Sequence, residues 1–126
     1  MAETLRERRA AGNKAEQAAA VLEAIARMPP EDREMAEAIH AIVEAVAPQL
    51  SPRTWYGMPA YTLNDNVVCF FQGGYKFKAR YATLGFSDRA LLDDGMMWPN
   101  AYALTQIGPA EEAMIAALVK RAVEGG

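Results

Sequence analysis

The spacing of apolar residues changes twice along this chain, and those two changes restrict its fold more than any motif does. From Lys14 to Arg27, Ala15, Ala18, Val21, Leu22, Ile25 and Ala26 recur at helical intervals, with Glu16, Glu23 and Arg27 opposite them. Between Thr54 and Thr83 the period falls to two, in β-favouring runs at Trp55-Tyr56, Tyr61-Thr62-Leu63, Val67 to Phe71 and Tyr75 to Thr83. After Pro109 the helical interval returns at Ile115, Leu118, Val119 and Ala122. Helices at both ends of a central meander predict an α+β protein: an antiparallel sheet with helices packed on one face, in two layers.

Prolines and glycines mark the boundaries. A second helix is expected from Pro29-Pro30 to about Pro48, because proline in the first helical turn loses no hydrogen bond and Glu31 and Asp32 complement the positive end of the dipole. Its core stripe is Met35, Ile39, Ile42, Val43 and Val46, with Arg33, Glu37, His40 and Glu44 on the wet side. Asn64-Asp65-Asn66 and Gly73-Gly74 supply residues that tolerate positive φ and read as hairpin turns. Val67 to Phe71 is apolar on both faces and predicts the central strand. Tyr75, Phe77, Ala79 and Tyr81 alternate with Lys76, Lys78 and Arg80, which predicts a strand with one solvated face. Ser87 is placed to cap a short helix through Leu91-Leu92 to Gly95, followed by an extended segment over Ala101 to Thr105. Residues 1–28 thus read as an extension carrying an amphipathic helix, its Arg6, Arg8 and Arg9 in a solvated, fraying start, and residues 29–126 as one α+β domain.

Composition excludes several classes of function. Thirteen Lys and Arg against 16 Asp and Glu leave a net charge of −3, which argues against nucleic acid as the main partner. No apolar run approaches the roughly 18 residues of a membrane span. Cys69 is the only cysteine, so there is no internal disulfide, which fits a reducing, cytoplasmic compartment. With one histidine, no nucleophile beside a base and no phosphate loop, catalysis has no positive support.

At Trp55-Tyr56-Gly57-Met58-Pro59-Ala60-Tyr61 the chain resembles the YdhG-like family of small bacterial proteins, a domain of unknown function. The resemblance continues through Val68-Cys69-Phe70-Phe71, Lys76-Phe77-Lys78-Ala79, Leu84-Gly85-Phe86 and the closing helix, covering Glu31 to Val123. It implies a compact frataxin-like α+β fold. One branch of that family is described as an intracellular iron chaperone, so the resemblance also implies exchangeable iron binding on exposed carboxylates and delivery to an iron-acceptor protein. It transfers no fixed ligand motif, and fold similarity alone does not establish function.

Several groups of residues are candidates for a site. Glu37, His40 and Glu44, spaced by three and four, share a helix face and could converge on iron, although Arg33 is close by and any surface helix has a solvated face. Asp93 and Asp94 near a helix end would be offset by a metal or a basic partner, or simply solvated. Lys76, Lys78 and Arg80 form a basic row for an anionic ligand, or protect a solvent-facing strand against edge pairing. Trp55, Tyr56, Met58, Tyr61 and Trp98 line an apolar cleft opened by Pro59, or fill the core. Iron handling is therefore set against a small-molecule, anionic-ligand module around the Tyr-Gly-Met-Pro segment. A third alternative is an interaction module whose N-terminal helix docks on a partner or on a second copy. The expected assembly is a monomer or weak homodimer.

Overall fold

A computed structural model describes the backbone from Ala2 to Gly125 and side chains from Asn13 to Gly125. Three helices, α1 (Ala2–Ala26), α2 (Pro30–Val46) and α3 (Pro109–Glu124), accompany five strands, β1 (Ser51–Trp55), β2 (Met58–Leu63), β3 (Asn66–Gln72), β4 (Ala82–Phe86) and β5 (Ala101–Leu104). The strands form one antiparallel sheet in the order β1-β2-β3-β4-β5, so the α+β meander is as expected, with β3 at its centre. No helix among the described residues is long and apolar enough to cross a membrane.

The registers Tyr61↔Cys69↔Phe86 and Phe71↔Leu84 place these side chains on one sheet face. They share a core with Val21 and Ile25 of α1, Met35, Ile39 and Val43 of α2, and Ile115 and Val119 of α3. The helices therefore cover one face. A bulge between Tyr61 and Thr62 leaves Val68 as an extra residue opposite them, so Val68 and Cys69 are both buried. That is the origin of the two-sided apolarity of this strand.

Three segments differ from the expectation. The backbone of α1 is helical from Ala2, where a fraying arm is expected; the Arg6, Arg8 and Arg9 side chains lie outside the described residues. Its buried side is Val21 and Ile25, whereas Leu22 is exposed, and this stripe is covered by the chain's own sheet. The segment Tyr75 to Tyr81 is not a strand but an exposed looped turn, and β4 starts only at Ala82. Its backbone bonds are local, Lys78 N–H to the Tyr75 carbonyl and Ala79 N–H to that of Gly74, and Lys78 sits at φ 53. Residues 87–100 hold no helix. The Ser87 hydroxyl accepts from the Arg89 amide and donates to the Val67 carbonyl, while the Leu91 amide is drawn to the Ala122 carbonyl at the end of α3. That bond serves an orphan carbonyl of α3, and a helix at Ser87 would give it up.

Candidate functional site

Trp55 and Met58 face each other across the two-residue turn Tyr56-Gly57, whose φ values are 51 and 76. Both central residues at positive φ make this the type I′ geometry that suits a tight hairpin. The next residue, Pro59, is buried and paired with Thr54, but the β2–β3 pairing begins only at Ala60↔Phe70. β3 runs on to Gln72 against β4 alone. A proline cannot donate to a ladder, and the sheet opens where it sits.

The second wall of this opening is the loop after β3, held by Asp32. Only 8 % of Asp32 is exposed, and its carboxylate accepts from the Gly74 amide at 3.3 Å and the Tyr75 amide at 3.1 Å. A Cβ on Gly73 would lie 2.9 Å from Asp32 Oδ2, so a side chain at this position would displace the carboxylate. Asp32 thus draws the backbone out of sheet register and turns Lys76 and Phe77 back towards β2.

A cleft of about 600 Å³ results, lined by Ala24 of α1, Arg27 just after it, Met58, Phe71, Lys76 and Phe77 among others. That volume lies within the range of about 300 to 1,000 Å³ typical of small-molecule sites. The Lys76 ammonium crosses the mouth to the Tyr56-Gly57 turn, where a Cβ on Gly57 would be 2.6 Å from it, and stands 5.7 Å from the Phe77 ring centre. No carboxylate pairs with Lys76 among the described residues, whereas Arg27 is paired with Glu23. Asp32 and Tyr75 also line a neighbouring depression of about 560 Å³, which holds Arg80 and Tyr81.

The anticipated cluster is divided among four places. Met58 lines the cleft. Trp55 packs against Tyr56 and Phe70, with ring centres 5.0 and 5.2 Å away, and Tyr56 is 79 % exposed. Tyr61 lies in the core, and Trp98 borders a separate groove with Asp93, Met96 and Met97. The basic row is divided too: Lys76 faces the cleft, Arg80 the neighbouring depression, and Lys78 is exposed outside both. Asp93 and Asp94 are exposed in a segment that forms no helix of its own, and Arg121 in the last turn of α3 donates to the Asp93 carbonyl.

Glu37, His40 and Glu44 do not converge. The His40 side chain is only 12 % exposed and leaves the wet face: Nδ1 is 2.9 Å from the Tyr61 hydroxyl and Nε2 3.0 Å from Glu44 Oε1. Glu37 instead lies 4.0 Å from Arg33. Among the described residues no group of three or more His, Cys, Asp or Glu side chains is placed to hold a metal ion. The imidazole serves as a bridge between a core hydroxyl and a surface carboxylate.

Burial raises the Tyr61 hydroxyl well above its ordinary range, with Cys69 and Glu44 adding to the effect, and pushes the Cys69 thiol from 9.0 up to about 12. In the unfolded chain both groups ionise first, so the folded state binds more protons at alkaline pH. Stability should hold up to the unfolded thiol value of 9.0 and fall as pH rises towards about 12. Urea midpoints between pH 7 and 11 check this, and Cys69→Ala should flatten the first part of the fall. An unchanged alkaline slope in that variant would remove the thiol as a cause.

Arg27, Asp32, Phe71 and Gly73 are site residues that sequence reasoning passed over, the first as a helix-face charge and the second as a dipole complement. The diglycine was the usable signal, since two small residues after a core strand permit a close approach as well as a hairpin. Compared with family models, curated proteins and solved structures, the chain finds no match in any of the three.

Proposed function

We propose that this protein is a binding module for a small amphipathic anion, which it holds in the cleft beside the Tyr-Gly-Met-Pro turn. What supports this is the Lys76 ammonium, stationed at the mouth of a largely apolar cleft with no carboxylate partner among the described residues. A lone cation at the rim of an apolar cavity orients a ligand head group while the body displaces water from Met28 and Phe77. The likeness to the YdhG-like family belongs to the same proposal as kinship and names no ligand for this cleft. Iron handling through the α2 face is the weaker alternative, because the geometry leaves it only the His40–Glu44 pair. A cytoplasmic setting agrees with the single buried thiol.

The probe for this function is 8-anilinonaphthalene-1-sulfonate, an aromatic monoanion. Saturable fluorescence enhancement by the native chain is expected, weakened about tenfold by Lys76→Gln, which corresponds to about 1.4 kcal/mol. Enhancement that does not saturate, or that ignores Lys76→Gln, would refute an anion-selective cleft.

A further inference from the structure

We infer that the ligand of this cleft is a monocarboxylate with a flexible apolar body, an inference that rests on the anion-binding function proposed above and narrows it to one class. Four charged side chains line the cleft: Glu23, Arg27, Asp32 and Lys76. Glu23 and Arg27 are paired with each other, and the Asp32 carboxylate is engaged by the Gly74 and Tyr75 amides.

Beside the Glu23–Arg27 pair, the lining therefore offers one cation without an ionic partner, Lys76, and one carboxylate, Asp32. A single negative charge at Lys76 completes that pattern. A phosphate monoester carries about −1.5 to −2 at neutral pH, and its second charge would face the Asp32 carboxylate with no further unpaired cation in the lining. Lysine is also a compact point charge that does not require the bidentate fork by which arginine selects phosphates. Below the rim the surface is Ala20, Ala24, Met28 and Met58, with Phe71 sealed beneath it. Methionine rearranges readily around irregular chains, so this floor suits an unbranched aliphatic body as well as a ring.

Amide spectra of the ¹⁵N-labelled full chain, titrated separately with octanoate, octyl phosphate and 1-octanol, test the assignment. Octanoate should move the Gly57, Met58, Gly73 and Lys76 amides saturably, and bind about tenfold tighter than either of the others, a difference of about 1.4 kcal/mol. Lys76→Gln should remove that advantage and leave 1-octanol unaffected. Lengthening the chain from hexanoate to octanoate should tighten binding about fourfold per methylene. Octyl phosphate binding as tightly as octanoate at the same amides, with the same dependence on Lys76, would overturn the monocarboxylate class and leave the anion module standing. Equal binding of octanoate and 1-octanol, or no movement of these amides by any of the three, would overturn the inference. The anilinonaphthalene titration then decides separately whether the anion module falls with it.

Discussion

Phe71→Ala is expected to lower stability by about 4 kcal/mol, within the 3 to 5 kcal/mol typical of aromatic truncation in a core. Phe71 is 0 % exposed, lies in the central strand opposite Leu84, and belongs to the core shared by all three helices. The residue also lies beneath the cleft, sealed from water. β3 there is paired on one side only, so no second strand collapses into the space vacated by the ring. At about 3 to 5 °C per kcal/mol for a chain of this size, the melting temperature should fall by roughly 15 °C. Phe71→Leu, which keeps most of the volume, should cost about 1 to 1.5 kcal/mol. It deepens the cleft floor, so decanoate should gain affinity relative to octanoate in this folded variant. Chemical denaturation of both variants checks the first expectation, and a loss below 1 kcal/mol for Phe71→Ala would mean that the ring is not a core element.

Architecture was legible because it follows from burial, and burial is periodic. The stripes Met35-Ile39-Val43 and Ile115-Val119-Ala122, the paired Asn64-Asp65 turn at φ 52 and 65, and Pro30 and Pro109 in the first turns of α2 and α3 each report a local rule that the tertiary structure respects. The departures in the two loops share a cause. Tyr75 to Tyr81 alternates like a strand, and Ser87 begins a plausible helix, but in each place a distant group satisfies the backbone instead: the Asp32 carboxylate in one, the Ala122 carbonyl in the other. Asp32 is 42 residues from Gly74, and at the first turn of a helix its acidity already has a sufficient local reason, so nothing in its surroundings advertises the second role. The cleft was half legible for the same reason. Pro59 announced the opening in the sheet and Met58 and Lys76 stood beside it in the sequence, whereas Arg27 and Phe71 join them only when α1 and the displaced loop close over it. His40 shows the converse: a helical-wheel position near the boundary of the wet face leaves the side chain free to lean inwards, and the partner that draws it in, Tyr61, lies on a strand.

Asp32→Ala should therefore act on the loop and the cleft together. It removes the acceptor from two backbone amides, one of them in the buried Gly74, and hydrogen bonds to charged groups contribute about 1.5 to 3 kcal/mol each. Water can reach the exposed Tyr75 once the tether is lost, so the net destabilisation should be about 3 kcal/mol, less than the full sum. Asp32→Asn keeps an acceptor oxygen without the charge and should fall between the variant and the native chain. Exchange of the Lys78 and Ala79 amides, which close the local turns, should accelerate strongly in Asp32→Ala, because the segment has no sheet ladder to fall back on. Gly73→Ala supplies the discriminating cycle. Its Cβ would approach Asp32 Oδ2 to 2.9 Å and displace the carboxylate from the amides, so Gly73→Ala should be costly in the native background and nearly neutral once Asp32 is alanine. Additive losses in that cycle would show that the carboxylate does not hold the loop. A non-additive cycle with the loop still protected from exchange would place the coupling in the helix start instead. With the tether gone, Lys76 loses its station over Gly57, and octanoate affinity should fall in Asp32→Ala although both the cation and the apolar floor remain in the chain.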